Sequence, residues 1–167
     1  NYPMLFYAGK SFKKIFLSTG LSNIKKVDLA LKVLFFSQKC KTFEECARSI
    51  KKNKKVNFSI LRDKVVIFQC TSSYPCKDEE ANLNVIKTYQ EKYKLITGFS
   101  DHTIGTELAL VSAGLGCKYV EKHFTLNKSM KGPDHASSIN YKELKYLSNS
   151  LKKTSLAFGS FKKKLTV

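Results

Sequence analysis

Two short segments hold the residue types best suited to chemistry: Ser100-Asp101-His102-Thr103 and Glu121-Lys122-His123. Each closes a short apolar run, and the two histidines lie twenty-one residues apart. If both runs are neighbouring parallel strands, His102 and His123 emerge side by side at one rim. Strand side chains alternate faces, so Ser100 points with His102 and Glu121 with His123. Two imidazoles beside a hydroxyl and a carboxylate can form a divalent-metal and anion site. Without further context the pair reads more readily as a coincidence of two unrelated histidines. Ser18-Thr19, and Thr71-Ser72 with Tyr74 just beyond, are two more polar clusters that close apolar runs. Serines at such places serve as turn formers or helix caps as well as ligands.

The segments that must position these clusters alternate in kind. Residues 14–19 are a short apolar run closed by Ser-Thr-Gly, expected as a strand and a tight turn. Residues 24–36 space Ile24, Val27, Leu31 and Leu34 as a helix does. Thr42-Phe-Glu-Glu45 has the capping-box form and opens a second helical segment to about Lys51. Residues 64–70 are apolar without alternation, as a strand buried on both faces is, and Pro75 stops its extension. Residues 79–93 read as a helix with Leu83, Ile86 and Tyr89 on one face, and 95–99 as the third strand. Residues 104–115 are helical and end at Gly114 and Gly116. Residues 117–124 form the fourth strand and 125–138 a loop. Asn140 with Glu143 then starts a last helix that reaches about Ala157. Strands alternating with helices predict a parallel α/β sheet. All four polar clusters then follow the carboxyl end of a strand, where barrels and doubly wound sheets build active sites. That placement reads as an enzyme.

Composition narrows the alternatives. The chain has 167 residues, enough for one domain with a real core, and its 43% hydrophobic content excludes a disordered tail. No run approaches the roughly 20 apolar residues of a membrane span. The opening NYPMLFYAGKSF lacks the ordered regions of a signal peptide and reads like a chain entered in the middle. The net charge is +17, yet of 30 basic residues only Arg48 and Arg62 are arginines. Dedicated nucleic-acid surfaces exploit the planar fork of arginine. Lysines scattered along every helical segment, with clusters at 51–55 and 162–164, read instead as solvated faces. A non-catalytic basic fragment that binds nucleic acid is the alternative from another functional class. An anionic small substrate would also welcome the field. The five cysteines, Cys40, Cys46, Cys70, Cys76 and Cys117, contain no Cys-x-x-Cys pair and point to a reducing cytoplasm. Cys70 and Cys117, within apolar runs, are expected as small core residues.

The succession Leu17-Ser-Thr-Gly20, Cys70-Thr-Ser-Ser-Tyr-Pro75, Gly98-Phe-Ser-Asp-His-Thr103, Glu121-Lys-His-Phe-Thr125 and Gly132-Pro-Asp-His135 resembles the sialic acid synthase family. The resemblance covers essentially the whole chain in the correct order. It implies a TIM-type (β/α)8 barrel, of which residues 1–167 are strands 5–8 with their helices. The first half and the small antifreeze-like domain that follows the family's barrel are then absent. Asn1-Tyr-Pro3 resembles the segment after the family's fourth strand, so a fragment or a split gene product, inactive alone, is expected. By position, His102 and His123 match the family's divalent-metal ligands, for manganese or magnesium. Ser18 and Ser100 match hydroxyls that hold phosphate, Ser72 stands where the family has Asn or Ser, and Tyr74 matches a sugar-pocket residue. The implied reaction condenses phosphoenolpyruvate with N-acetylmannosamine or a related amino sugar. It gives N-acetylneuraminate or a related nonulosonic acid plus phosphate, with legionaminic or pseudaminic acid as alternative products. The implied full-length enzyme is a homodimer with no membrane partner.

Some positions keep two readings. Asp101 either orients a histidine as an acceptor or caps the following helix. Glu121 either assists at the metal or pairs with Lys122 or another lysine. Lys122 points away from His123 and is expected to be structural, and His135 to shape the rim loop. Gln69 departs from the family's usual histidine before Cys-Thr. The connection over 37–63 is longer and more basic than the family's, an embellishment or a partner contact.

Overall fold

Val65-Val-Ile-Phe68 joins β-branched and aromatic side chains that suit a pleat covered on both sides. In the computed structural model, which describes residues 1–52, 56–163 and 165, this run forms strand β2 (Val65–Cys70), buried along its whole length. The basic clusters at 51–55 and 162–164 fall partly outside the described residues. Strand β2 pairs in parallel with β1 (Ile15–Ser18) and β3 (Ile96–Asp101), and β3 pairs with β4 (Tyr119–Lys122). The order is β1-β2-β3-β4, without the reversal that defines a doubly wound sheet. Strands added one after another in a single direction are consecutive units of a (β/α)8 barrel, here four of them.

One face of the sheet is covered by helices. Six are present among the described residues: α1 (Tyr2–Ser11), α2 (Ile24–Ser37), α3 (Phe43–Lys51), α4 (Asn84–Tyr93), α5 (Glu107–Gly114) and α6 (Tyr141–Ala157). Val65 and Ile67 turn toward them and join Phe6, Leu31, Leu34 and Tyr93 in the main core. The alternate residues line the inner face. There Phe16 packs edge-on against Phe68 and against Tyr119, with ring centroids 5.7 and 5.1 Å apart. Gly98 makes this possible, since a Cβ built there would lie 2.6 Å from the Phe68 ring.

Several boundaries differ from expectation, each for a local reason. Helix α1 was not foreseen; Asn1 caps it by accepting from Met4 N–H, Pro3 sits in its first turn, and Phe6 buries completely. The helix expected from residue 79 starts at Asn84. Before it, a 3-10 turn (Asp78–Glu80) is drawn onto β2: Thr71 donates to the Glu80 carbonyl and Gln69 to that of Ala81. The helix expected from residue 104 starts at Glu107, because Gly105 takes φ +87° and the preceding residues close a turn on Asp101. It ends as expected, with Gly116 at φ +91° and Cys117 N–H returning to the Ser112 carbonyl. The fourth strand is shorter than 117–124, stopping at Lys122. The 37–63 connection is no mere embellishment. Cys46 and Leu61 are buried in the main core, and Phe43, Ile50 and Phe58 pack on it. Cys70 and Cys117 are buried, and all five cysteines are free. No helix of the described residues is long and apolar enough to cross a membrane.

Candidate active site

Cys70, Ser100 and Glu121 are partners in register across β2, β3 and β4. Two residues on, at the carboxyl rim, His102 and His123 face each other with ring centroids 5.3 Å apart. Tyr74, from the loop after β2, closes a triangle with centroids 4.2 Å from His102 and 5.3 Å from His123. The structure therefore brings His102, His123, Ser100, Glu121 and Tyr74 into one cluster.

Hydrogen bonds set the chemical state of this cluster. The Nδ1–H of His102 donates to the Thr71 carbonyl at 2.7 Å. A carbonyl can only accept, so the neutral ring carries its lone pair on Nε2. That nitrogen is 3.3 Å from Ser100 Oγ. The serine proton is drawn elsewhere, since Ser100 Oγ donates to Glu121 Oε1 at 2.6 Å, the short distance of a charge-assisted bond. In the neutral ring the Nε2 lone pair thus faces an oxygen whose hydrogen is committed to a carboxylate. His102 is only 8% exposed, and its carbonyl accepts from Cys76 N–H at 2.8 Å, so the ring has little freedom. Burial first, then Cys70, Asp134 and Glu121, holds the Tyr74 phenol above its ordinary value, so it remains a donor.

His123 is held from the other side. Beyond β4 the chain makes one more parallel bridge, Phe124 with Ile139, and Ile139 N–H donates to the His123 carbonyl at 2.9 Å. Asp134 of the Gly-Pro-Asp-His turn brings Oδ2 to 3.6 Å from His123 Nδ1. Asp134 was not among the expected site residues; its neighbour His135 bonds Thr125 Oγ1 at 2.8 Å inside the loop, in keeping with a role in shaping the rim. Thr71, which selects the His102 tautomer through its backbone, leaves no side-chain signal to read. Asp101 touches neither histidine. It accepts from Thr103 and from Lys122, and Glu121 pairs with Ser100 rather than with a lysine.

The remaining candidates lie apart. Ser72 stands over Gly20, where a Cβ would lie 2.2 Å from its Oγ, and lines a cavity of about 810 Å³ with Thr19, Lys26, Gln69 and Tyr89. Ser18 is in register with Phe68, one rank deeper than Ser100, and opens on a groove of about 400 Å³ beside α1. Among the described residues no group of three or more His, Cys, Asp or Glu side chains converges on a point that could hold a metal.

Four consecutive parallel βα units with a polar cluster at the carboxyl rim define a protein of the (β/α)8-barrel class. The chain belongs to the NeuB family, whose family model matches residues 1–163. It is 35% identical over 164 residues to the N,N'-diacetyllegionaminic acid synthase of Campylobacter jejuni, covering 98% of this chain and 43% of that protein. It is 33% identical over 159 residues to the pseudaminic acid synthase of Helicobacter pylori, covering 95% of this chain and 44% of the relative. Its fold matches the N-acetylneuraminic acid synthetase of Leptospira borgpetersenii with a TM-score of 0.77 at 24% identity, over 98% of this chain and 49% of that one. The chain therefore spans less than half the length of these relatives.

Proposed function

We propose that this chain supplies the second half of the catalytic barrel of a nonulosonic acid synthase. The full protein would condense phosphoenolpyruvate with N-acetylmannosamine or a related amino sugar, releasing phosphate. The observation that carries the reading is the His102 ring, locked with its Nε2 lone pair toward Ser100 and Glu121 and standing beside His123 and Tyr74. Its setting within the NeuB family supplies the substrate class.

Two side chains of this chain suit a divalent cation, manganese or magnesium: the imidazole of His102, whose Nε2 is open when the ring is neutral, and the imidazole of His123 beside it. His102 and His123 would hold the ion, with further donors from substrate, solvent or the other half of the barrel. Bound there, the ion would polarise the aldehyde oxygen of the open-chain sugar. Carbon 3 of phosphoenolpyruvate attacks that aldehyde, water adds to carbon 2, and the tetrahedral centre expels phosphate. Glu121, oriented by Ser100, is the carboxylate assigned to receive the water's proton. Tyr74 offers its phenol to the sugar; the hydroxyls of Ser18 and Ser72 would reach phosphate from their own cavities, and that of Ser100 would do so only on turning away from Glu121. Glutamate and lysine groups of the first four strands complete the site. The full enzyme would act as a homodimer, and five free thiols suit a cytoplasmic setting.

A second reading differs only in the sugar. The identity to the Campylobacter jejuni relative, 35% along nearly the whole chain, favours a legionaminic acid synthase. Phosphate release from phosphoenolpyruvate by the full-length polypeptide, assayed with N-acetylmannosamine and with di-N-acetylated sugars, separates the two. Turnover should vanish with a chelator and return with Mn2+. His102→Ala and His123→Ala should each lower kcat by at least about 100-fold; normal turnover in both sinks the ligand assignment. Salt-sensitive nucleic-acid binding without metal affinity would favour a basic binding module instead.

A further inference from the structure

Behind the histidines, on the helix-facing side of the sheet, lies a buried ion pair. Lys122 Nζ is 2.9 Å from Asp101 Oδ2, and the two side chains are 4% and 0% exposed. Such a pair is a poor source of stability, because desolvating two charges offsets most of their attraction. Its placement suggests another purpose. Asp101 directly precedes His102, and Lys122 directly precedes His123. The two are register partners, and the β3–β4 ladder ends with them. Both histidines therefore stand one residue beyond the last backbone pairing between their strands. Their other backbone ties lead away from each other, His102 to Cys76 and His123 to Ile139.

We propose that Asp101 and Lys122 are positioning residues that set His102 and His123 side by side. Asp101 Oδ1 accepts from Thr103 N–H at 2.9 Å and from Thr103 Oγ1 at 2.7 Å. Lys122 Nζ donates to the Thr103 carbonyl as well as to Asp101. Residues 101–103 are thereby closed into a ring around the His102 backbone, and the ring is tied to the residue before His123. Side chains hold the two rim positions together where the ladder cannot.

This inference rests on the reading that His102 and His123 bind a metal, and its test separates the two. In the native full-length polypeptide, Asp101→Asn with Lys122→Met removes both charges while preserving shape. Imidazole 15N spectra of the metal-free wild type should show His102 as one Nδ1–H tautomer; in the folded double variant they should show exchange between tautomers. The Mn2+ dissociation constant should rise about 10- to 100-fold. A double variant that melts like wild type and keeps either the wild-type His102 spectrum or the wild-type Mn2+ affinity overturns the inference. Should the double variant not fold, Asp101→Asn alone is read by the same criteria. If the wild type binds no Mn2+, the metal reading fails, and the imidazole spectrum by itself decides the positioning role.

Discussion

Gly98 is conspicuous for what it lacks. The Phe68 ring occupies the space above it, and any Cβ would come within 2.6 Å of that ring. Gly98→Ala should therefore destabilise the fold by about 1–3 kcal/mol, measured by urea unfolding, because the ring must leave its place between neighbours. The thiols make a second expectation at this scale. Burial, for Cys117, and burial followed by the neighbouring Cys40, for Cys46, push both to about 11. The unfolded chain releases these protons near pH 8.5, so their stabilisation is complete below that value and is lost as pH rises toward 11. Iodoacetamide at pH 8.5 should alkylate them readily in urea and hardly at all in the native protein. The inner-face residues of the site were legible as types and spacing, since strand alternation alone sends Ser100 with His102. The Thr71 carbonyl that selects the tautomer was not, because every residue has one.

At the scale of elements, α6 begins with a complete capping box. Asn140 accepts from Glu143 N–H, and Glu143 accepts from Asn140 N–H. Asn140→Ala should cost about 1 kcal/mol. The Glu143 carboxyl is held below its ordinary value by its bond from Lys128 and then by Asn140 N–H. A depressed carboxyl stabilises the fold above its unfolded pKa and loses that contribution as pH falls through the folded one. Thermal melts of wild type and Glu143→Gln should therefore converge only as pH falls below the ordinary glutamate range. Lys94 ends α4 in the left-handed region at φ +56°, a conformation that favours glycine. Lys94→Gly should raise stability by about 1 kcal/mol. The α6 start was readable from Asn140 and Glu143 because the capping box is local. The starts of α4 and α5 were not, since their first turns are drawn out to bond β2 and Asp101.

At the scale of the molecule, the inner face of the sheet is open. Phe16 and Tyr119, which a closed barrel would bury, are 55% and 38% exposed, and β1 and β4 each present a free edge among the described residues. Free edges and exposed aromatics invite association. The 167-residue chain produced alone should bind an apolar dye and self-associate; a sharp monomeric melt without dye binding would contradict this. Supplying the first four βα units, in cis or as a separate polypeptide, should abolish both behaviours.

What the amino-acid sequence determined by itself was periodic and local. Apolar runs of strand length, helical spacing and capping residues set the alternation of elements, and the motif order set the family. The pairing of His102 with His123 followed from that alternation once the strands were neighbours. Only the tertiary structure decided which tautomer a neutral His102 adopts and what keeps the pair together. Those matters depend on contacts between residues far apart in the chain: Thr71 with His102, Asp101 with Lys122, Asp134 with His123. Such contacts have no period to read. They exist because parallel crossovers bring the ends of successive strands to one rim, where side chains and carbonyls meet regardless of their separation in sequence.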